Sequence, residues 1–197
     1  MQARRIFTTT LLAAAAAVAF GCQEGTGPTE IRATHGPTLS KSGAGVDAPI
    51  TVFKRTTPLA GDVSASREIG PSGGTIDLKE AGVKLVFPRG AVAAPVTITV
   101  RALAGEFVVF TCEPHGTVFA TPARAEVKLK GTTAWKNESV QESLEGAYID
   151  GPWSVGPDGR ATAYQELAAI VDVTNGKAIF GVPHFSTLAL ASGEVRR

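Results

Sequence analysis

Cysteine, histidine, net charge and long apolar runs are all scarce in this chain, and each scarcity removes a class of function. Two cysteines in 197 residues cannot supply a disulfide framework. Three histidines, His35, His115 and His184, are widely spaced, and a zinc site needs three or four ligands together. Asp150, Asp158 and Asp172 are scattered without the spacing of a calcium loop. Nineteen basic residues against eighteen acidic ones leave a net charge of +1, with no basic stripe to neutralise phosphates, so nucleic acid is not an expected partner. No stretch longer than two turns keeps a helical apolar period, apart from a short helical piece expected around "YQELAAI" near Tyr164. No internal repeat is present, and stability must come from one apolar core of ordinary size.

The longest apolar run is "IFTTTLLAAAAAVAF", residues 6–20, preceded by Arg4 and Arg5. It falls short of the roughly 20 apolar residues of a spanning helix and has the layout of an export signal. The run ends in Gly21-Cys22, and "AFGC" resembles the lipobox of bacterial lipoproteins, with Ala19 where leucine is usual. The resemblance implies that residues 1–21 are removed and that Cys22 is the lipidation site, diacylated on sulfur and acylated on its new amine. Several acyl chains anchor a protein firmly without spanning the bilayer. Gln23 stands where an aspartate would favour inner-membrane retention in the enterobacterial pattern, so the implied location is the bacterial cell envelope, at the outer membrane. Removing residues 1–21 takes away two of the nineteen basic residues and none of the acidic ones, for a net charge of −1. Cys112 is then left without a partner in the chain.

Residues 22–61 are rich in Gly, Pro, Ser and Thr and read as a flexible tether, with a short strand at "PITVFK" near Ile50. Residues 62–197 read as the folded domain. "ARAEVKLK" alternates Ala123, Ala125, Val127 and Leu129 with Arg124, Glu126, Lys128 and Lys130, the period of a half-buried strand. "VTITV" repeats the pattern, "VKLVFP" adds a strand, and "FVVFTC", residues 107–112, reads as one strand buried on both faces. Asn175-Gly176 between two β-rich runs signals a hairpin. The expected fold is all-β, an antiparallel β-sandwich preceded by a signal peptide and a tether.

The order of these pieces is similar to the ZU-five domain, shared by the zonula occludens protein, netrin receptors and ankyrins. The matching residues are Gly73 and Gly74, then Pro88, Gly90 and Ala91, then Pro114, Gly116, Phe119 and Pro122, with Glu113 where glycine is usual. The resemblance implies a β-sandwich that serves as a protein-interaction platform. It also carries a sharper implication. Some animal proteins with this domain cleave themselves at His-Phe-Ser, and here His184 would be the general base, Phe185 would supply the carbonyl and Ser186 would be the nucleophile. That cut, between Phe185 and Ser186, needs a twisted amide and an imidazole within about 2.6–3.2 Å of the hydroxyl. "FSTLALA" instead reads as a smooth closing strand with Phe185, Thr187 and Ala189 on one face, in which Phe185 fills the core.

Other chemistry is not spelled out. "GPSGG", residues 70–74, matches the G-x-S-x-G elbow, but a strand follows it where the elbow needs a helix. Cys112-x-x-His115 offers two metal ligands, and Cys112 at the end of an apolar strand reads as a small buried hydrophobe. The sequence therefore points to a non-enzymatic binding module without cofactor or metal, whose binding residues are not legible. Its partner is a protein or, alternatively, a glycan. Trp135, Tyr148, Trp153 and Tyr164 could present aromatic surface to a protein or glycan, but the two tryptophans read first as plugs for the ends of the sandwich.

Overall fold

The structure, a computed structural model, describes residues 47–193. The expected export segment, Cys22 and His35 lie outside the described residues. The alternating stretches become thirteen strands. In chain order they are β1 (Ala48–Val52), β2 (Lys54–Leu59), β3 (Val63–Ile69), β4 (Gly74–Leu78), β5 (Val83–Phe87), β6 (Val96–Ala102) and β7 (Gly105–Phe107). There follow β8 (Val109–Glu113), β9 (Val118–Lys128), a one-turn helix α1 (Glu138–Gln141), β10 (Leu144–Ile149), a 3-10 turn at Pro152–Ser154, β11 (Arg160–Asp172), β12 (Lys177–His184) and β13 (Thr187–Gly193).

Eleven strands join in the order β3-β6-β8-β13-β1-β11-β12-β9-β5-β4, with β10 against β11 and β13, while β2 and β7 form a separate ribbon. Pairing is antiparallel throughout. The sheet folds over at β11, whose first part pairs with β1 and β10 and whose last residues, Ala169 to Asp172, pair with β12. The result is the expected all-β, sandwich-like arrangement. Ala123, Ala125, Val127 and Leu129 of the clean alternation are all buried. They share one core with Val83, Leu85, Ile98, Val100, Phe110, Phe180, Leu188 and Leu190. Asn175 and Gly176 end a four-residue connection in the β11–β12 hairpin, where Asp172 is paired with Lys177.

Four expectations need correction. The tether reading extended to residue 61, but β1 sits inside the sheet between β11 and β13, with Ile50 and Val52 buried. The strand expected at "PITVFK" is therefore structural, and the domain starts before residue 62. "YQELAAI" is part of β11, because β10 and β12 satisfy its backbone and a lone helical turn has no such partner. "FVVFTC" divides at Val108 into β7 and β8. Its apolar residues are nevertheless buried on both sides, since Val108 and Phe110 enter the main core while Val109 joins a second cluster with Ile50, Val52, Ile149 and Ala189.

The fourth correction concerns "FSTLALA". The chain leaves the β12 layer at His184, bends at Ser186 and enters the β13 layer at Thr187. Phe185 belongs to the main core with Leu188 and Leu190, whereas Ala189 lies in the second cluster. Phe185 and Ala189 therefore do not share a face, because the bend at this corner breaks the period of two.

Candidate functional site

His184, Phe185 and Ser186 lie together at the corner between the two layers, where Phe185 is buried and its neighbours are half-buried. The Phe185 N–H donates to Thr117 O at 2.9 Å, and the Gly116 N–H donates to Phe185 O at 3.2 Å. The carbonyl that a cut would attack is thus held by one backbone donor. The base and nucleophile are not brought together. Ser186 Oγ shares a hydrogen bond with Tyr164 Oη at 2.5 Å. The His184 ring is stacked on Tyr148 at a centroid distance of 4.3 Å, with Nε2 3.5 Å from Gln165 Oε1. Tyr148 Oη donates to the His184 carbonyl at 2.6 Å. Burial pushes the Tyr148 phenol well above its ordinary pKa, so it stays a donor across the working pH range. Among the described residues no hydrogen bond links His184 to Ser186, and both tyrosines fasten the corner in place.

The remaining motifs separate in the same way. Ser72 of "GPSGG" is exposed in the turn between β3 and β4, and β4 follows directly. Cys112 and His115 diverge, because Cys112 is in the main core while His115 is exposed. Burial also pushes the Cys112 thiol far up, which removes thiolate chemistry.

The outer face of β6, β8 and β13 carries a groove of about 350 Å³ that sequence reasoning left unassembled. Its floor is a row across the sheet, because Arg101 is directly opposite Thr111 and Thr111 is directly opposite Thr187. Glu113 and His115 continue from β8, Ser186 borders the groove, and Asp150, Pro152 and Trp153 form the other wall. Trp153 is 77% exposed, yet its ring is held. A Cβ on Gly151 would stand 2.4 Å from Cη2 and Cζ2 of the indole, so the ring lies directly on the Gly151 backbone. Ser154 Oγ donates to Gly151 O at 2.6 Å and closes the short turn beneath it. Asp62 lies 3.8 Å from the Arg101 guanidinium. His115 shares the groove with two carboxylates, but among the described residues no hydrogen bond joins it to Ser186, so the groove offers recognition groups without an assembled nucleophile and base.

The expectation that the tryptophans plug the sandwich holds for Trp135, which is half-buried and packed against the main core. It fails for Trp153. The signal for an exposed ring was Gly151-Pro152 just before it, since a residue without a side chain lets the indole settle on the backbone. No protein-family model matches this chain, and no curated protein matches it.

Proposed function

We propose that this chain is a non-enzymatic binding module of the bacterial cell envelope, anchored at the outer membrane through Cys22, and that it recognises a glycan in the groove beneath Trp153. The observation that carries this reading is the exposed indole lying over Gly151 beside a hydroxyl- and charge-bearing sheet face. A flat aromatic face stacks on the apolar C–H face of a sugar ring. The Thr111 hydroxyl, the Arg101 guanidinium and the Asp150 and Glu113 carboxylates then offer donors and acceptors for sugar hydroxyls, which would be costly to leave unpaired. A protein partner, the use implied by the ZU-five resemblance, is less well served. Among the described residues, Val118, Trp153, Ile170 and Val173 are the exposed large apolar ones. Val118 and Ile170 face opposite ends of β12, at His184 and Ile179, and a protein interface wants a contiguous apolar centre.

Titrating soluble oligosaccharides from envelope polymers, with indole fluorescence and calorimetry as readouts, is expected to show saturable binding. Trp153→Ala should weaken it about threefold to tenfold, since aromatic ring contacts are worth roughly 0.5–1.5 kcal/mol beyond the area they bury, while circular dichroism stays unchanged. Equal binding by wild type and variant would remove the groove from the reading, and binding of proteins but no saccharide would restore the protein-partner alternative.

The anchor and the His-Phe-Ser corner are tested by one intact-mass measurement on protein extracted from membranes under denaturing conditions. One species is expected, beginning at Cys22, heavier than its peptide by a diacylglyceryl and an acyl group, and lacking that increment in Cys22→Ser. A species without lipid refutes the anchor. Two fragments parting between Phe185 and Ser186, and absent in Ser186→Ala, would establish self-cleavage in place of the intact corner.

A further inference from the structure

Arg55 plays no part in the groove or in the corner. It lies two residues beyond the core residue Phe53 on β2 and is only 8% exposed. Its Nη1 donates to the carbonyl of Phe107, but Nε and Nη2 are buried without a hydrogen-bond partner among the described residues. None of the ion pairs among those residues includes Arg55. A guanidinium has five donors and keeps its charge at all ordinary pH values, and burying one without a counter-charge is strongly unfavourable. Desolvation lowers the Arg55 pKa accordingly.

Arg55 forms part of the wall of a cleft of about 220 Å³ that also gathers Lys79, Lys128 and Lys130 and only one acid, Glu80. The three lysines are exposed. Glu126, the acid beside Lys128 on β9, is already engaged by Lys84 at 3.7 Å, Arg124 at 2.9 Å and Lys177 at 3.0 Å. Four cations against the single Glu80 carboxylate leave an excess of positive charge that a bound anion would offset. The excess is local, because the chain as a whole is nearly neutral.

We propose that this cleft is a binding site for a tetrahedral oxyanion, a phosphate or sulfate group, with Arg55 as the buried charge and Lys79, Lys128 and Lys130 as its rim. The exposed lysines make the direct contacts, while Arg55 acts through its unpaired charge from within the wall, because its Nε and Nη2 are themselves out of contact with solvent. Partial dehydration also leaves its attraction less screened than at an open surface. The lysines supply point charges that draw the anion in. The site is separate from the glycan groove, and neither depends on the other. The oxyanion can be free or can be the ester group of a lipid headgroup, since the same donors read both.

The melting temperature of the purified protein in inorganic phosphate and in sulfate, against chloride at matched pH and ionic strength, tests the site. A saturable rise is expected in the first two salts only. Lys128→Gln with Lys130→Gln, both at exposed positions, should keep the melting temperature in chloride and weaken the apparent phosphate affinity about tenfold. Arg55→Met should abolish the phosphate response. No rise specific to oxyanions in the wild type, or a rise unaltered in the double lysine variant, overturns the proposal. Flotation of the Cys22→Ser protein with phosphatidylcholine vesicles, with and without phosphatidic acid, separates the two sources. Recruitment by phosphatidic acid that free phosphate competes away assigns a lipid headgroup, and phosphate binding without recruitment assigns a soluble anion.

Discussion

Phe185→Ala is expected to destabilise the domain by about 3–5 kcal/mol, and to lower its melting temperature by roughly 10 °C. The side chain is 1% exposed and meets Phe119 edge-on at 4.7 Å and Phe87 edge-on at 6.1 Å. Its backbone is pinned at both ends by Thr117 and Gly116, so the surroundings are poorly placed to collapse into the void, and collapse is what makes some core truncations mild. The residue also links the two layers, because β12 ends just before it and β13 begins just after Ser186. Phe185→Leu retains most of the volume and should cost about 1–2 kcal/mol. Denaturant unfolding reads the difference from the midpoints, provided the slope is unchanged. A loss below about 1 kcal/mol for the alanine variant would mean that the aromatic triad does not bear on stability.

Phe185 also marks the boundary of what the sequence makes legible. Its burial could be read from the apolar surroundings, but its direction could not, because the bend at Ser186 leaves no local signature beyond a polar residue between two apolar ones. The strands with clean alternation, such as residues 123–130, were legible because one face is core and the other is polar, exposed except at the ion-paired Glu126. β1 was expected as a short strand, but its place within the sheet was not. It is only five residues long and lies in a stretch of Gly, Pro, Ser and Thr whose composition signals a tether, even though Ile50 and Val52 already alternate with Thr51. β11 was read in part as a helix because "ELAAI" consists largely of good helix formers, and pairing on both sides outweighs that weak preference. The groove is built from β6, β8, β13 and the turn carrying Trp153, segments far apart in the chain. Only the register that sets Arg101, Thr111 and Thr187 side by side brings them together. Arg55 falls in the stretch read as tether, and nothing local distinguishes the buried arginine from the half-exposed Lys54 beside it.

The glycine pair that leads into β4 carries the second large prediction. Gly73 ends the turn between β3 and β4 with φ +79°, its N–H bonded to Gly70 O at 2.9 Å. A Cβ there would stand 2.3 Å from Phe87 O and 2.8 Å from the Pro88 carbonyl carbon, both backbone atoms with no side-chain freedom to move aside. The same turn is fastened to the chain beyond β5 by the Gly90 N–H on Pro71 O at 2.8 Å, so separating them disturbs both loops. Gly73→Ala therefore combines a left-handed backbone penalty of about 1–2 kcal/mol with an overlap costing roughly another 1–3 kcal/mol. Gly90 provides the control. Its φ is similar, +80°, but an added Cβ meets nothing within 4 Å, so Gly90→Ala should show the backbone penalty alone. Urea midpoints for the two variants are expected to differ, with Gly73→Ala the less stable by about 1–3 kcal/mol. Equal losses would show that close approach to the β5 exit does not explain the glycine at position 73, and that conformational strain accounts for both positions.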